Sequence, residues 1–208
     1  MQPHEIETKS FEMIEEEAGA HGFDGPEWDV VRRMIHTSAD FDYIESVRIH
    51  ARAIETGIEA IQAGCRIITD TNMVLAGLRK TDLERFGCRC ACLMTDPQVA
   101  AAAEQNATTR ALAAVDAAAE IMKDGIYVVG NAPTALMRLL FLVDEGRAAP
   151  ALVVGLPVGF VNAAESKAEL AASEIPHITN SGRKGGSNVA AAVINSLVTQ
   201  ATKIRQGK

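Results

Sequence analysis

The chain has 208 residues, enough for one α/β domain with a sizeable core. Hydrophobic residues make up 48% and charged residues 23%, while aromatics reach only 4%, so the core is built mainly from Ala, Val, Ile and Leu. A net charge of -7 and the scarcity of aromatic platforms argue against nucleic acid as a partner, although a small anionic ligand responds to the local field of a cleft rather than to the total.

The first predicted element is a helix over residues 7–20, with Phe11, Ile14 and Ala18 on one face and Ser10 at the border of that stripe. Gly22-Phe23-Asp24-Gly25 breaks it. Pro26 suits the first turn of a second helix, which carries Trp28, Val31 and Ile35 towards His36. A third helix is predicted over residues 43–63, because Ile44, Val47, Ala51, Ile54, Ile58 and Ile61 step by three and four. Gly64 ends it. Its stripe either covers a sheet or meets a second subunit.

From Cys65 the pattern changes to short apolar runs, each followed by a polar loop and a helix. The runs are Arg66-Ile67-Ile68-Thr69, Cys90-Ala91-Cys92-Leu93-Met94, Ile126-Tyr127-Val128-Val129, Leu152-Val153-Val154-Gly155 and Ile175-Pro176-His177-Ile178. This alternation predicts a single α/β domain over residues 1–208, with an N-terminal helical segment and a mainly parallel sheet of about five strands with helices on both faces. Pro176 assigns the last strand to an edge or a bulge. The longer helices are expected over residues 106–123, 134–144, 163–173 and 187–203. There is no apolar run long enough to span a bilayer and no charged-then-apolar leader, so the cytoplasm is the expected compartment, without a membrane partner.

The chemistry is concentrated in Arg32-Arg33-Met34-Ile35-His36-Thr37-Ser38-Ala39-Asp40-Phe41-Asp42-Tyr43. A titratable imidazole beside fixed cations suits proton chemistry on an anionic substrate. The plain alternative is a helix-terminal histidine favoured by the dipole, with Asp40 capping the next helix. Ligands of open parallel sheets bind at the carboxyl ends of the strands, and here each of those loops is polar. Gly130-Asn131-Ala132-Pro133-Thr134 and residues 155–159 offer main-chain N–H groups to an anion, or serve only as turns. Ser181-Gly182-Arg183-Lys184-Gly185-Gly186-Ser187 places two cations among glycines before the last helix. It lacks the Gly-Lys-Ser/Thr order of a Walker loop, and no G-x-G-x-x-G occurs. It reads as an anion cradle in which Arg183 can fork onto a carboxylate, against a mobile basic surface loop.

Other candidates weigh less. Cys88, Cys90 and Cys92 alternate, as soft-metal ligands can, but no C-x-x-C is present and small buried thiols suit a core, so no metal is expected. His4 lies near the terminus, and His21 precedes a glycine turn. His50 is placed on the solvated side of the third helix, and His177 reads as a satisfied buried imidazole. No G-x-S-x-G elbow supports a hydrolase triad.

Several stretches, in order along nearly the whole chain, resemble the precorrin-8X methylmutase family. They are Ser10-Phe11, Arg33-Met34-Ile35-His36, Thr69-Asp70-Thr71-Asn72-Met73-Val74, Gly130-Asn131-Ala132-Pro133-Thr134-Ala135-Leu136, Gly155-Leu156-Pro157-Val158-Gly159-Phe160-Val161 with Glu165-Ser166-Lys167, and Arg183-Lys184-Gly185-Gly186-Ser187. The resemblance implies an isomerase of cobalamin biosynthesis that moves a methyl group from C-11 to C-12 of precorrin-8X or its cobalt form. The product is hydrogenobyrinate or cobyrinate. It also implies an α/β homodimer without an added cofactor. By resemblance His36 is the proton donor and acceptor, and Ser10 and Arg33 hold the substrate.

A macrocycle fringed with acetate and propionate arms needs several anion sites around a wide, largely apolar floor. Thr71, Asn72, Arg110, Asn131, Gly159, Arg183, Lys184, Gly185, Gly186 and Ser187 complete the expected substrate-binding set, with Arg79 as a further cation. Two other readings remain: an isomerase or lyase of a small carboxylate using the same His and Arg, and a tetrapyrrole carrier that binds without catalysis.

Overall fold

A computed structural model describes residues 3–207, with side chains from residue 5 onward, so the His4 side chain lies outside the described residues. In chain order the elements are helices α1 (Pro3–Ala18), α2 (Gly25–Ser38) and α3 (Tyr43–Ser46), strand β1 (Val47–Ile49), α4 (Ala53–Gln62), β2 (Arg66–Thr69), α5 (Asn72–Gly77), α6 (Lys80–Glu84) and β3 (Arg89–Cys92). There follow α7 (Pro97–Gln105), α8 (Arg110–Ala118), β4 (Ile126–Val129), α9 (Pro133–Asp144), β5 (Leu152–Gly155), α10 (Ala163–Ala171), β6 (His177–Asn180) and α11 (Ser187–Arg205).

The strands form one sheet in the order β1-β6-β5-β4-β2-β3, parallel except for β1, which runs antiparallel to β6. Strands β4 and β5 are buried along their whole length, as expected for a sheet covered on both faces. Successive residues point to opposite faces. Ile67, Ile126, Val128, Leu152, Val154 and Ile178 meet α2, α4 and α11 in one core. Ile68, Tyr127, Val129 and Val153 meet α8, α9 and α10 in the other. Helix α11 is the spine of the first core, with Val193, Ile194, Leu197 and Val198 fully buried.

Two expectations are corrected. The third helix is interrupted: α3 ends at Ser46, β1 covers the edge of β6, and the helix resumes as α4. The spacing of Ile44, Val47 and Ala51 fits a helix, but Val47 and Ile49 also alternate as strand residues do, and the open edge of β6 offers main-chain partners. The later half of the stripe, with Ile58 and Ile61 buried, covers the sheet. His50 therefore sits in a turn rather than a helix, half-buried, with its ring 5.5 Å from that of His177.

Pro176 does not place the last strand at an edge. It lies one residue ahead of β6 and needs to donate nothing there, while its carbonyl accepts from Val153 N at 2.9 Å. Strand β6 is interior. His177 is buried as expected, its Nδ1 2.7 Å from the Ile175 carbonyl, and burial pushes its imidazole below the ordinary histidine value. Adding β1 makes the sheet six-stranded.

Candidate active site

The loops at the carboxyl ends of the parallel strands are tied to one another. At the end of β2, Asp70 is 3% exposed, and its carboxylate accepts from Gly130 N at 2.9 Å and from Asn131 N and Ala132 N at 2.8 Å. Burial pushes this carboxyl above the usual carboxylate range, against the three amide donors that pull the other way. The anion site expected at the start of α9 is thus filled by the chain's own carboxylate. The Asn131 main chain is committed, and only its exposed side chain is left to a ligand. Thr71 Oγ1 caps α5 by accepting from Val74 N and lies 3.1 Å from Ser187 Oγ. Asn72 is exposed beside Met73, which is 72% exposed.

The 181–187 loop closes against two neighbours. Gly186 N donates to the Leu156 carbonyl at 2.9 Å, Ser181 N to the Ser46 carbonyl at 2.8 Å, and Gly159 N to the Arg183 carbonyl at 3.2 Å. Gly185 has φ +157, and a Cβ there would stand 2.3 Å from the Leu156 carbonyl oxygen, so only glycine fits. Arg183 is exposed, with its guanidinium 5.5 Å from the Phe160 ring centroid, and has no ion pair among the described residues. Lys184 corrects the expectation of a second free cation. Its ammonium bridges Asp40 at 2.7 Å and Asp42 at 2.5 Å. That hydrogen bond holds the Asp40 carboxyl below the usual range and raises the Lys184 ammonium above its ordinary value. Asp40 caps no helix by this means: among the described residues it accepts, besides Lys184, only from Asp42 N.

Helix α2 begins with a capping box, in which Asp24 accepts from Glu27 N and Glu27 from Asp24 N, and ends where Ala39 takes a left-handed conformation. His36 stands in its last turn, exposed, with its ring 5.0 Å from Phe11. Asn188 Nδ2 at the start of α11 donates to the Thr37 carbonyl at 3.4 Å. Together with the Lys184 bridge, this places the His36 turn beside the 181–187 loop. Arg33, earlier on α2, pairs with Glu7 at 3.0 Å and lies over the Phe11 ring at 5.1 Å. The Ser10 hydroxyl donates to the Ile6 carbonyl at 2.8 Å, within its own helix.

Thr71, Gly159, Lys184, Gly185, Gly186 and Ser187 are therefore joined by direct contacts, and His36 adjoins them. Arg33 lies three residues before His36 on α2 and shares its contact with Phe11, while Ser10 precedes Phe11 on α1. Arg110 opens α8, exposed, on the flank of α7 and α9 and outside that network of contacts. Arg79 is no site cation: it pairs with Asp82 at 2.6 Å and reaches Thr199 and Asn195 on α11. Asp70 and Lys167 stand in stretches shared with the family, but the sequence assigned neither a role. Lys167 is a buried side chain that donates to Asn180 Oδ1 at 3.1 Å.

The larger clefts lie on the helical flanks. One of about 870 Å³ is lined by Leu140, Phe141, Glu169 and Ile175, one of about 820 Å³ by Leu93, Val99, Asp116 and Arg138, and one of about 780 Å³ by Phe11, Trp28, Arg32 and Lys203. His36 and Arg183 line none of the three. Their surroundings form an open edge floored by apolar side chains, with Phe160 83%, Val161 77% and Val158 43% exposed. An exposed imidazole, an unpaired guanidinium and an apolar shelf suit proton exchange with a large, flat, anionic ligand rather than with a small enclosed one.

The family model of precorrin-8X methylmutase matches residues 5–200. A cobalt-precorrin-8 methylmutase of Priestia megaterium is 47% identical over 95% of this chain and 88% of its own length. One of Salmonella typhimurium is 45% identical over 95% of each chain. The crystal structure of a precorrin-8x methyl mutase from Thermus thermophilus superposes with a TM-score of 0.90 at 45% identity, covering 96% of this chain and 97% of that one. With the match spanning the sheet, both helical layers and every loop of the open edge, the chain belongs to the precorrin-8X methylmutase family.

Proposed function

We propose that the open edge is the floor on which precorrin-8X or its cobalt form rests, and that His36 exchanges a proton with the macrocycle during the methyl shift. The chain is an isomerase of cobalamin biosynthesis, moving a methyl group from C-11 to C-12 of the ring. The observation that carries the site reading is the exposed His36 held beside a glycine loop whose Arg183 has no acidic partner among the described residues. As imidazolium, His36 donates to a ring nitrogen near the migrating centre. This withdraws electrons from the conjugated system and lowers the barrier to a 1,5-sigmatropic shift. The proton returns as the double bonds settle. General acid help of this kind is worth about 10²–10⁴-fold, and the rest comes from holding the ring still against matched charges.

In this reading Arg183 takes a peripheral carboxylate of the ring, and the exposed Asn72 and Asn131 side chains donate to others. Phe160, Val161 and Met73 meet the ring face. The same proposal keeps a homodimer as the working unit, because so exposed an apolar shelf is completed by a second copy over the bound ring. It also keeps the cytoplasm as the compartment, where the adjacent thiols of Cys65 and Cys88 stay reduced.

The test is His36→Ala in the purified protein, incubated with precorrin-8X and with its cobalt form and followed by the colour change of the new chromophore. Turnover is expected to be lost while product binding, titrated by absorbance, is retained. Full activity would remove His36 from the chemistry. A single-turnover experiment on the native chain separates mutase from carrier, since a carrier returns the substrate unchanged.

A further inference from the structure

We infer that Lys167 is a positioning residue for this reaction: its buried side chain fixes the main chain of the 181–186 loop, and through Lys184 it sets the place of the turn that follows His36. This rests on the site reading above.

A lysine that is 1% exposed calls for a cause, since ammonium groups stay in water unless their donors are met inside. Lys167 lies in the middle of α10 and reaches under the loop. Its Nζ donates to Asn180 Oδ1 at 3.1 Å and to the Lys184 carbonyl. Both acceptors are neutral, and among the described residues no carboxylate stands with it. The Asn180 amide donates to the same Lys184 carbonyl at 3.0 Å and to that of Ser181 at 3.1 Å. One peptide oxygen is thus gripped by an ammonium and an amide together.

That peptide lies where the loop has least order of its own. Gly182, Gly185 and Gly186 have φ of +82, +157 and +133, and glycines leave many conformers open to the unpinned chain. An ammonium grip is charge-assisted and selects one of them. The Lys184 side chain then leaves the loop for Asp40 and Asp42, four and six residues beyond His36. The carbonyl is held inside and the side chain outside, so the position of Lys184 joins α10 and β6 to the end of α2. Arg183, one residue earlier, is held through its own carbonyl, which accepts from Gly159 N at 3.2 Å.

The experiment compares the native chain with Lys167→Met, which fills the same space and donates nothing. In K167M with a native-like circular dichroism spectrum, kcat is expected to fall about 10- to 100-fold, as a misplacement of catalytic groups does, with a smaller rise in KM. Lys184→Met is expected to lose kcat too, and K167M/K184M to lose no more than the worse single variant, since both act through one residue. Trypsin, probing cleavage after Arg183 and Lys184, should cut the loop faster in K167M than in the native chain. Should K167M not fold, Asn180→Ala removes the second donor to the same carbonyl and carries the same expectations.

Native kcat and KM in K167M, or losses that add fully with those of K184M, would overturn the inference. If the native chain itself turns over neither form of precorrin-8X, the function fails instead, and trypsin still decides about Lys167: equal protection of the loop in both proteins sinks it.

Discussion

Two glycine-rich loops follow strands of the same sheet and lead into helices, and they have opposite fates. At the start of α9 the three N–H groups of residues 130–132 close on Asp70, so the positive end of that helix is neutralised from within. Before α11 the loop is gripped by Lys167 and Asn180 through one carbonyl, and Arg183 is left facing outward without a carboxylate partner among the described residues. Donors and glycines alone do not make a ligand site. What decides is whether the chain's own acid reaches them first. The first loop is a joint, and the second is a receptor.

The comparison breaks most visibly at Asp70. Replacing it with alanine leaves three main-chain donors without their partner in a largely buried site, at about 3 kcal/mol in all. For a domain of this size, thermal unfolding should move down by roughly 6–12 °C. Acetate added to Asp70→Ala should restore part of the loss by entering the emptied cradle, and should leave the native chain unchanged. No acetate effect on the variant would mean that the loop collapses once the acid is gone. The sign with pH is also set. Burial raises the folded-state value of Asp70, so the folded chain holds this proton more tightly than the unfolded one. Its contribution to stability therefore declines as pH rises from about 4, the unfolded value, through the raised folded value.

The receptor loop gives the reverse result. Arg183→Ala removes an exposed guanidinium whose contact within the chain is the Phe160 ring, so stability should hardly change. Product affinity, titrated by absorbance, should fall about tenfold, the worth of one charge-assisted pair, with a smaller loss in kcat. Unchanged affinity would take Arg183 out of the site.

Beneath the same loop, burial lowers the Lys167 amine to about 8. The groups facing it are Asn180 from β6 and the Lys184 carbonyl from the loop, while the Lys184 ammonium points away to Asp40 and Asp42. Turnover should acquire an alkaline limb near pH 8 that K167M lacks. Folding stability should move the other way, rising between about pH 8 and pH 10.4, because there the unfolded chain binds the extra proton. An alkaline limb that persists unchanged in K167M would assign it to another group.

Much of the sheet was legible from local pattern. Ile126-Tyr127-Val128-Val129 and Leu152-Val153-Val154 are short, β-branched apolar runs between polar loops, and their length and flanks separate them from buried helix segments. Strand β1 was not legible, since three residues whose spacing also fits a helix carry too little pattern, and only the open edge of β6 decides between them. Arg183 stood out as a cation among glycines, whereas His36 by itself read also as a helix-terminal histidine favoured by the dipole, and its role came from the family resemblance. The fate of each loop was hidden for a physical reason: its deciding partner is remote in the chain. Asp70 meets Gly130 across 60 residues, and Lys184 meets Asp40 across 144. One signal was available for the first, an acid placed at the end of a strand just before a threonine cap, where the next strand brings a glycine loop alongside. Lys167 offered only its place in the family-like stretch Glu165-Ser166-Lys167, because a lysine in a helix reads as solvated until something is packed over it.

The smallest effect belongs to the bridge that joins the receptor loop to the His36 turn. Asp40→Asn and Asp42→Asn weaken an exposed pair, with Lys184 50% and Asp42 72% exposed, so solvent and salt screen most of the attraction. Thermal unfolding of either variant should lie close to native, and the remaining difference should vanish at high salt. What survives depends on pH in the sense opposite to Asp70. Lys184 depresses the folded-state value of Asp40, so the contribution is present above about pH 4 and is lost as pH falls through the folded value. Melting curves of the native chain and Asp40→Asn at low salt should therefore converge on acidification. If they stay parallel, the bridge does not form in solution, and the coupling between the loop and the His36 turn would rest on Asn188 and the Thr37 carbonyl alone.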